Sequence, residues 1–347
     1  MQDTAPTTQR PPRDSRIPVT LLTGFLGSGK TTLLNRLVAQ PSMSNALVLI
    51  NEFGEIGLDH QLFAASSDGE QIELSNGCLC CTLRTDLART LREAVWRFSR
   101  EGRRRFDRLV IETTGLADPA PIVHTLMSAP RVARHYRLDG IVTTLACPDG
   151  EATLERFDQA RRQAALADLL LLTQPDRADA ARKAALHRRL AALNPTAERR
   201  ETLHGGIDAD ALCDLAPDAG DYALPRWLGT PTLADAHFTV PAEPAGKRHD
   251  DGIQAHCFTL DRPVRAEGLD AWRARITALM GPNMLRLKGL LNLEGQPVAI
   301  HGVQHLYHPP VTLDGWPDND RRSRLVFITL DIDRESLAAT LPTLLDG

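Results

Sequence analysis

Between Gly24 and Thr31 the chain reads Gly-Phe-Leu-Gly-Ser-Gly-Lys-Thr, which satisfies every fixed position of the phosphate-binding pattern G-x-x-x-x-G-K-[ST]. The pattern has a required context, a buried strand before it and a helix after it. Both are present: Ile17-Pro18-Val19-Thr20-Leu21-Leu22 is a short β-branched and apolar run, and Leu33, Leu34, Leu37 and Val38 recur at helical spacing. Strand, loop and helix in that order turn backbone N–H groups inward around phosphate oxygens and add the positive end of the helix dipole. The expected nucleotide contacts are therefore Gly24, Gly27, Ser28, Gly29, Lys30, Thr31 and Thr32. The Lys30 ammonium is expected to reach the β- and γ-phosphates and the Thr31 hydroxyl to bind Mg²⁺.

Further apolar runs follow with the rhythm of an α/β protein. Ala46 to Ile50, Arg108 to Ile111, Gly140 to Leu145 and Ala167 to Leu172 read as buried strands alternating with helical segments such as Leu83 to Trp96. Such alternation predicts a P-loop NTPase with a mostly parallel sheet covered on both faces. The strand at Arg108 delivers Glu112-Thr113-Thr114-Gly115 at its carboxyl end. There a carboxylate supports Mg²⁺, directly or through water, and Gly115 lets the loop approach the γ-phosphate. The Arg100 to Arg105 cluster reads as a solvated helix end and loop.

At 347 residues the chain has room for about two domains. The polar, Pro-rich start predicts a disordered tail over 1–15, followed by the nucleotide domain over 16–226. A stretch of weak periodicity predicts a linker over 227–251, and a smaller α+β domain is expected over 252–347. A net charge of -4 with 42% hydrophobic residues argues against general nucleic-acid affinity. No apolar run is long enough for a membrane span or a signal peptide core, so a cytoplasmic protein without membrane partners is expected.

Three of the six cysteines fall in Cys78-Leu79-Cys80-Cys81. A loop of this spacing either gathers soft thiolates around Zn²⁺, with a carboxylate, His or water completing the tetrahedron, or holds redox-inert, partly buried cysteines.

The phosphate loop, Asn51-Glu52-Phe53-Gly54-Glu55, Gly77-Cys78-Leu79-Cys80-Cys81 and Glu112-Thr113-Thr114-Gly115-Leu116-Ala117-Asp118-Pro119 together resemble the CobW-like metallochaperone GTPases, relatives of UreG and HypB. The resemblance continues through Leu285-Arg286-Leu287-Lys288-Gly289 and Gly302-Val303-Gln304-His305 to Arg321-Arg322-Ser323-Arg324-Leu325-Val326. It implies a slow, Mg²⁺-dependent GTPase with Lys30, Thr31 and Glu112 in catalytic roles, followed by a CobW-type C-terminal domain. It also implies Zn²⁺ or Co²⁺ bound by Cys78, Cys80 and Cys81, with Glu52 as a further ligand or as a carboxylate serving Mg²⁺ or the loop. Delivery to a client protein and a homodimer are the implied partnerships, with the C-terminal domain as the surface for either.

Two departures stand out. The guanine-reading segment is Thr173-Gln174-Pro175-Asp176, which keeps the Asp176 carboxylate for the base but has Gln174 where such GTPases carry lysine, and Ala146 stands where the family usually shows Asp. The alternative reading is therefore a nucleotide-gated metal sensor or scaffold with weak or no hydrolysis. An ATP-using enzyme and a zinc store are the remaining rivals. Of the histidines, His256 is expected at the surface or in a cap, and His301, His305 and His308 in core or turn positions.

Overall fold

A computed structural model of the chain describes residues 14–50, 62–63, 71–72, 83–101, 103–213, 215–216 and 252–346. Residues 1–13 of the tail expected over 1–15, the whole of the linker expected over 227–251, and the candidate ligands Glu52, Cys78, Cys80 and Cys81 lie outside the described residues. In chain order the first strands are β1 (Ile17–Gly24) and β2 (Ala46–Ile50). Two short antiparallel pairs come next, β3 (Leu62–Phe63) with β4 (Gln71–Ile72) and β5 (Ser99–Arg100) with β6 (Arg103–Arg104). The arginine cluster expected as helix end and loop thus contains a hairpin, held because Phe98 and Phe106 pack edge to face at 6.2 Å on either side of it.

Strands β7 (Arg108–Glu112), β8 (Tyr136–Ala146), β9 (Leu169–Thr173) and β10 (Glu198–Thr202) join β1 and β2 in one all-parallel sheet of order β10-β9-β8-β1-β7-β2. Its helices are α1 (Lys30–Val38), α2 (Leu83–Arg97), α3 (Ala120–Ser128), α4 (Pro130–Ala133), α5 (Gly150–Arg156), α6 (Asp158–Leu166) and α7 (Ala180–Leu193). The unbroken apolar run of β9 has a simple cause. Leu170 and Leu172 enter the core on one face of the sheet while Leu169 and Leu171 enter the core beneath α1 on the other. Central β1 lies between β7 and β8, and this register brings Gly24, Glu112, Thr144 and Thr173 to the carboxyl edge of neighbouring strands. Ligands of open α/β sheets bind at that edge.

Residues from 252 onward form an antiparallel sheet, β11 (Ile253–Leu260), β12 (Met284–Leu293), β13 (Gln296–Val303), β14 (Leu306–Tyr307), β15 (Val311–Thr312) and β16 (Ser323–Leu330), in the order β11-β16-β12-β13-β14 with β15 also on β13. One face packs on the helix Ala266–Met280, whose Trp272 is fully buried against Phe327. The other face carries Ile253, Leu285, Val303 and Ile328 into the same hydrophobic core as the parallel sheet. His256, expected outside, is buried on β11 with its Nε2 3.1 Å from the Ile332 carbonyl. His301 is a core residue.

A buried charge cluster pins the two sheets together. Asp168, just before β9, accepts from the Ile141 N–H at 3.0 Å, pairs with Lys288 Nζ at 3.0 Å, and accepts from the Arg286 guanidinium. Burial alone would raise its carboxyl, but Arg286 and Lys288 hold it below the usual carboxylate range. His301 and His308 stack edge to face beside these cations at 3.6 Å between ring centroids. Burial, reinforced by Arg286, pushes His308 down to about 3, and burial with His308 and the two cations holds His301 well below its ordinary value.

Removing the central carboxylate strands two buried cations, so Asp168→Ala is expected to lower stability by about 3–5 kcal/mol. Thermal and urea unfolding measure this. The histidines predict a pH dependence of defined sign. On unfolding each returns to about 6.5, so the unfolded chain binds more protons below that pH. Stability is therefore full above about pH 6.5 and falls as the pH drops toward the folded values, by up to about 1.4 kcal/mol per pH unit for each histidine. Urea unfolding of a His301→Gln/His308→Gln variant is expected to show a flatter profile over that window.

Candidate functional site

The phosphate loop leaves β1 at Gly24 with φ of 141°, a conformation that L side chains rarely adopt. There is no room for a side chain either: a Cβ on Gly24 would lie 2.3 Å from Thr144 Oγ1 and 2.5 Å from its carbonyl oxygen. Gly27 and Gly29 complete the turn, and Gly29 caps α1. Lys30, the first residue of α1, is buried and folds its ammonium back inside the loop, donating to the carbonyls of Gly24 at 2.8 Å and Phe25 at 3.2 Å. Phosphate oxygens have stronger claims on that charge than peptide carbonyls do.

Beside the lysine, Thr31 Oγ1 donates to Glu112 Oε1 at 3.0 Å. A hydroxyl and a carboxylate in contact, at the start of a helix and the end of a strand, are the hard oxygen donors that Mg²⁺ selects. Thr114, two residues past Glu112, has a buried Oγ1 with no hydrogen-bond partner among the described residues. The donor set fits a Mg²⁺-nucleotide.

A web of buried hydroxyls holds the loop from beneath. Ser28 Oγ meets Thr144 Oγ1 at 2.7 Å, Thr113 Oγ1 donates to Thr23 Oγ1 at 2.8 Å, and Thr173 Oγ1 donates to the Ser28 carbonyl at 2.8 Å. Ser28 and Thr173, both expected to touch nucleotide, thus direct their side chains into the loop's support. Thr32 is exposed on α1, and Asp176 is exposed in the 3-10 turn Pro175–Arg177 at the end of β9. Outside the loop, Phe25 stacks on Phe157 at 4.4 Å.

Gly115 packs directly on the phosphate loop, since a Cβ there would lie 2.7 Å from the Leu26 nitrogen. The side chain that fixes this second loop is one the motifs do not mark. Gln163 of α6 is fully buried and its Nε2 donates to the carbonyls of Gly115 at 3.2 Å and Ala117 at 3.0 Å. The signal was available in the sequence: an uncharged amide shares the buried helical face of Ala160 and Ala164. Glu52 and the three cysteines lie outside the described residues. The described chain does leave β2 at Ile50, which pairs with Glu112.

Comparison with known proteins matches residues 18–200 to the CobW/HypB/UreG nucleotide-binding domain and residues 253–345 to the cobalamin synthesis protein cobW C-terminal domain. The chain belongs to the CobW/HypB/UreG family. Among its curated relatives, the zinc chaperone YjiA of Escherichia coli is 34% identical over 326 residues, covering 93% of this chain and 97% of the relative. The zinc chaperone CobW of Pseudomonas aeruginosa is 28% identical over 373 residues, covering 95% and 92%. The crystal structure of the Zn(II)-bound YjiA GTPase from Escherichia coli superposes with a TM-score of 0.67 at 30% identity, covering 95% of this chain and 99% of that one. YjiA and CobW are thus similar to this chain across both of its sheets. Among the described residues no helix is long and apolar enough to cross a membrane.

Gln163→Leu keeps the volume near that of glutamine but leaves two buried carbonyls without donors. We expect a stability loss of about 1–3 kcal/mol and, because the Gly115 loop is freed, a reduced preference for nucleoside triphosphate over diphosphate. Titration with fluorescent nucleotides of both kinds checks the second effect, which a purely structural glutamine would not produce.

Proposed function

We propose that this chain is a Mg²⁺-dependent GTPase that binds zinc at its Cys-x-Cys-Cys loop and passes the metal to a client protein. The observation that carries the nucleotide half is the Thr31–Glu112 contact at 3.0 Å beside a Lys30 ammonium already inside the phosphate loop. Full-length similarity to proteins named as zinc chaperones supports the metal half. Thr31 and Glu112 would hold Mg²⁺, which would supply charge neutralisation for the nucleotide's phosphates. Lys30 exchanges two carbonyl contacts for phosphate oxygens, and Gln163 keeps the Gly115 loop against the γ-phosphate side of the site. These contributions are positioning and electrostatics, the main sources of rate in phosphoryl transfer. Asp176 reads the guanine edge by accepting from its ring and exocyclic N–H groups.

Cys78, Cys80 and Cys81 ligate the zinc as thiolates, with Glu52 as the fourth ligand. In the sequence Glu52 follows two residues after Ile50, whose strand partner is Glu112. Loss of the γ-phosphate changes the contacts of Glu112 and, through that pairing, the setting of the metal loop. A nucleotide domain over 16–226 and a C-terminal domain over 252–347 are part of the same reading. The latter offers the surface for client or homodimer contacts in the cytoplasm.

Competition with a chromophoric chelator in Mg²⁺ buffer tests the coupling. Zinc affinity is expected to be at least about tenfold higher, or about 1.4 kcal/mol, with GTPγS than with GDP or no nucleotide. Equal affinities in the three states would reject nucleotide-gated delivery. Cys80→Ser/Cys81→Ser is expected to lose tight zinc binding while nucleotide affinity is unchanged, and retention of zinc by that variant would remove the thiol site.

A further inference from the structure

The amino ends of the parallel strands, opposite the phosphate loop, carry a feature that nucleotide chemistry does not use. Helix α2 buries Leu91 and Ala94, with Phe98 just past its end, along one stripe and turns Trp96 the other way, where it is 81% exposed. An indole left in water is an unusual use of the largest apolar side chain. Around it the surface is basic: Arg97 follows on α2, Arg103 stands on β6, and Arg131 and Arg134 lie in and just after α4, which packs against α2. All four are exposed, and none forms an ion pair among the described residues.

The framework beneath them is rigid. The Arg105 N–H donates to the Phe98 carbonyl at 2.9 Å, fixing the β5–β6 hairpin to the end of α2. Buried Tyr136 donates its hydroxyl to the Leu91 carbonyl at 2.9 Å, fixing the start of β8 and the adjoining α4 to the same helix. Four cations and one indole are therefore held on one pole by three elements that are fixed to one another.

We propose that this pole is a docking surface for an acidic segment of a partner protein, with an apolar side chain of that segment covering Trp96. Tryptophan and arginine are the residue types that dominate binding energy in protein interfaces. The chain as a whole carries a net charge of -4, so the patch is a local inversion of sign that would steer an acidic partner to this pole alone. A nucleic acid fits less well. Exposed Glu93 and Glu101 interrupt the basic surface, and a single indole offers no series of aromatic platforms for successive bases. Because the phosphate loop lies at the other end of β1, β7 and β8, a partner seated here leaves nucleotide exchange open. It grips a helix whose first residue, Leu83, stands two positions after Cys81. The proposal does not depend on the zinc reading.

The test uses the full chain and a fluorescein-labelled synthetic peptide rich in glutamate around a central leucine–phenylalanine pair, followed by fluorescence anisotropy at low and physiological salt. The parent is expected to bind the peptide, more weakly as salt rises. Trp96→Ser and Arg103→Glu/Arg134→Glu should each weaken binding at least about tenfold. All three positions are exposed and distant from the phosphate loop, so nucleotide affinity and thermal midpoint should match the parent and certify the fold. Absence of peptide binding by the parent, or equal binding by the variants, would overturn the proposal. So would tighter, equally substitution-sensitive binding of a single-stranded oligonucleotide or of phosphatidylserine vesicles, or a parent dimer in sedimentation that the charge reversals dissociate.

Discussion

A loop can present its N–H groups to a phosphate only if its carbonyls and its outer surface are held elsewhere. Here the strand register does the holding. Because β1 lies between β7 and β8, the hydroxyls of Thr23, Thr113 and Thr144 meet beneath the loop, and Thr173 reaches it from the next strand along. The hydroxyls of Ser28, Thr113, Thr144 and Thr173 each have a partner, so the web stiffens the loop. Gln163 extends the same device to the Gly115 loop from the helical layer. The phosphate site is therefore a property of the sheet's carboxyl edge and not of the glycine-rich segment alone.

The edge is also connected to the second sheet. Strand β9 is five residues long, with Thr173 on the phosphate loop at one end. Just before its other end, Asp168 is locked between Arg286 and Lys288. Helix α6 makes a second bridge, since it carries Gln163 and packs against β12 and β11. With the shared apolar core added, the antiparallel sheet is anchored on the two elements that also shape the nucleotide site. A buried carboxylate among two cations contributes little net stability, but it penalises any arrangement that separates them. The cluster thus fixes how the two sheets meet.

The sequence made legible what repeats or runs. Strands buried on both faces appear as unbroken apolar runs, and the phosphate loop has fixed spacing, so the α/β class and the meeting of Lys30, Thr31 and Glu112 at one strand edge were legible in the residues. What escaped were single polar side chains with buried work to do. Arg286 and Lys288 alternate with leucines, a pattern that usually signals a solvated strand face, yet the nucleotide domain covers that face. The alternation is right and the solvent is wrong. The Arg100 to Arg105 segment failed for the opposite reason: its charge suggested a loop, while the flanking Phe98 and Phe106 closed a hairpin by packing across it. His256, expected at the surface or in a cap, is buried, since histidine spacing says nothing about what covers a strand.

Gln174 ties the turn after β9 to the phosphate loop through its own side chain. Gln174 sits at φ of 53°, a left-handed conformation that costs a residue of this kind roughly 1–2 kcal/mol. In that conformation its side chain spans two loops, with Nε2 3.4 Å from the Gly27 carbonyl and Oε1 accepting from Arg177 at 2.8 Å. One residue earlier, Thr173 holds Ser28. Together the pair grips consecutive residues of the phosphate loop, so the turn that carries Asp176 is tied to that loop. The alanine at 146 fits the same logic. It pairs with Thr173 across β8 and β9, and the following Cys147 N–H closes on the Thr173 carbonyl at 2.8 Å. That corner is fixed by backbone hydrogen bonds, which do not require a carboxylate at position 146.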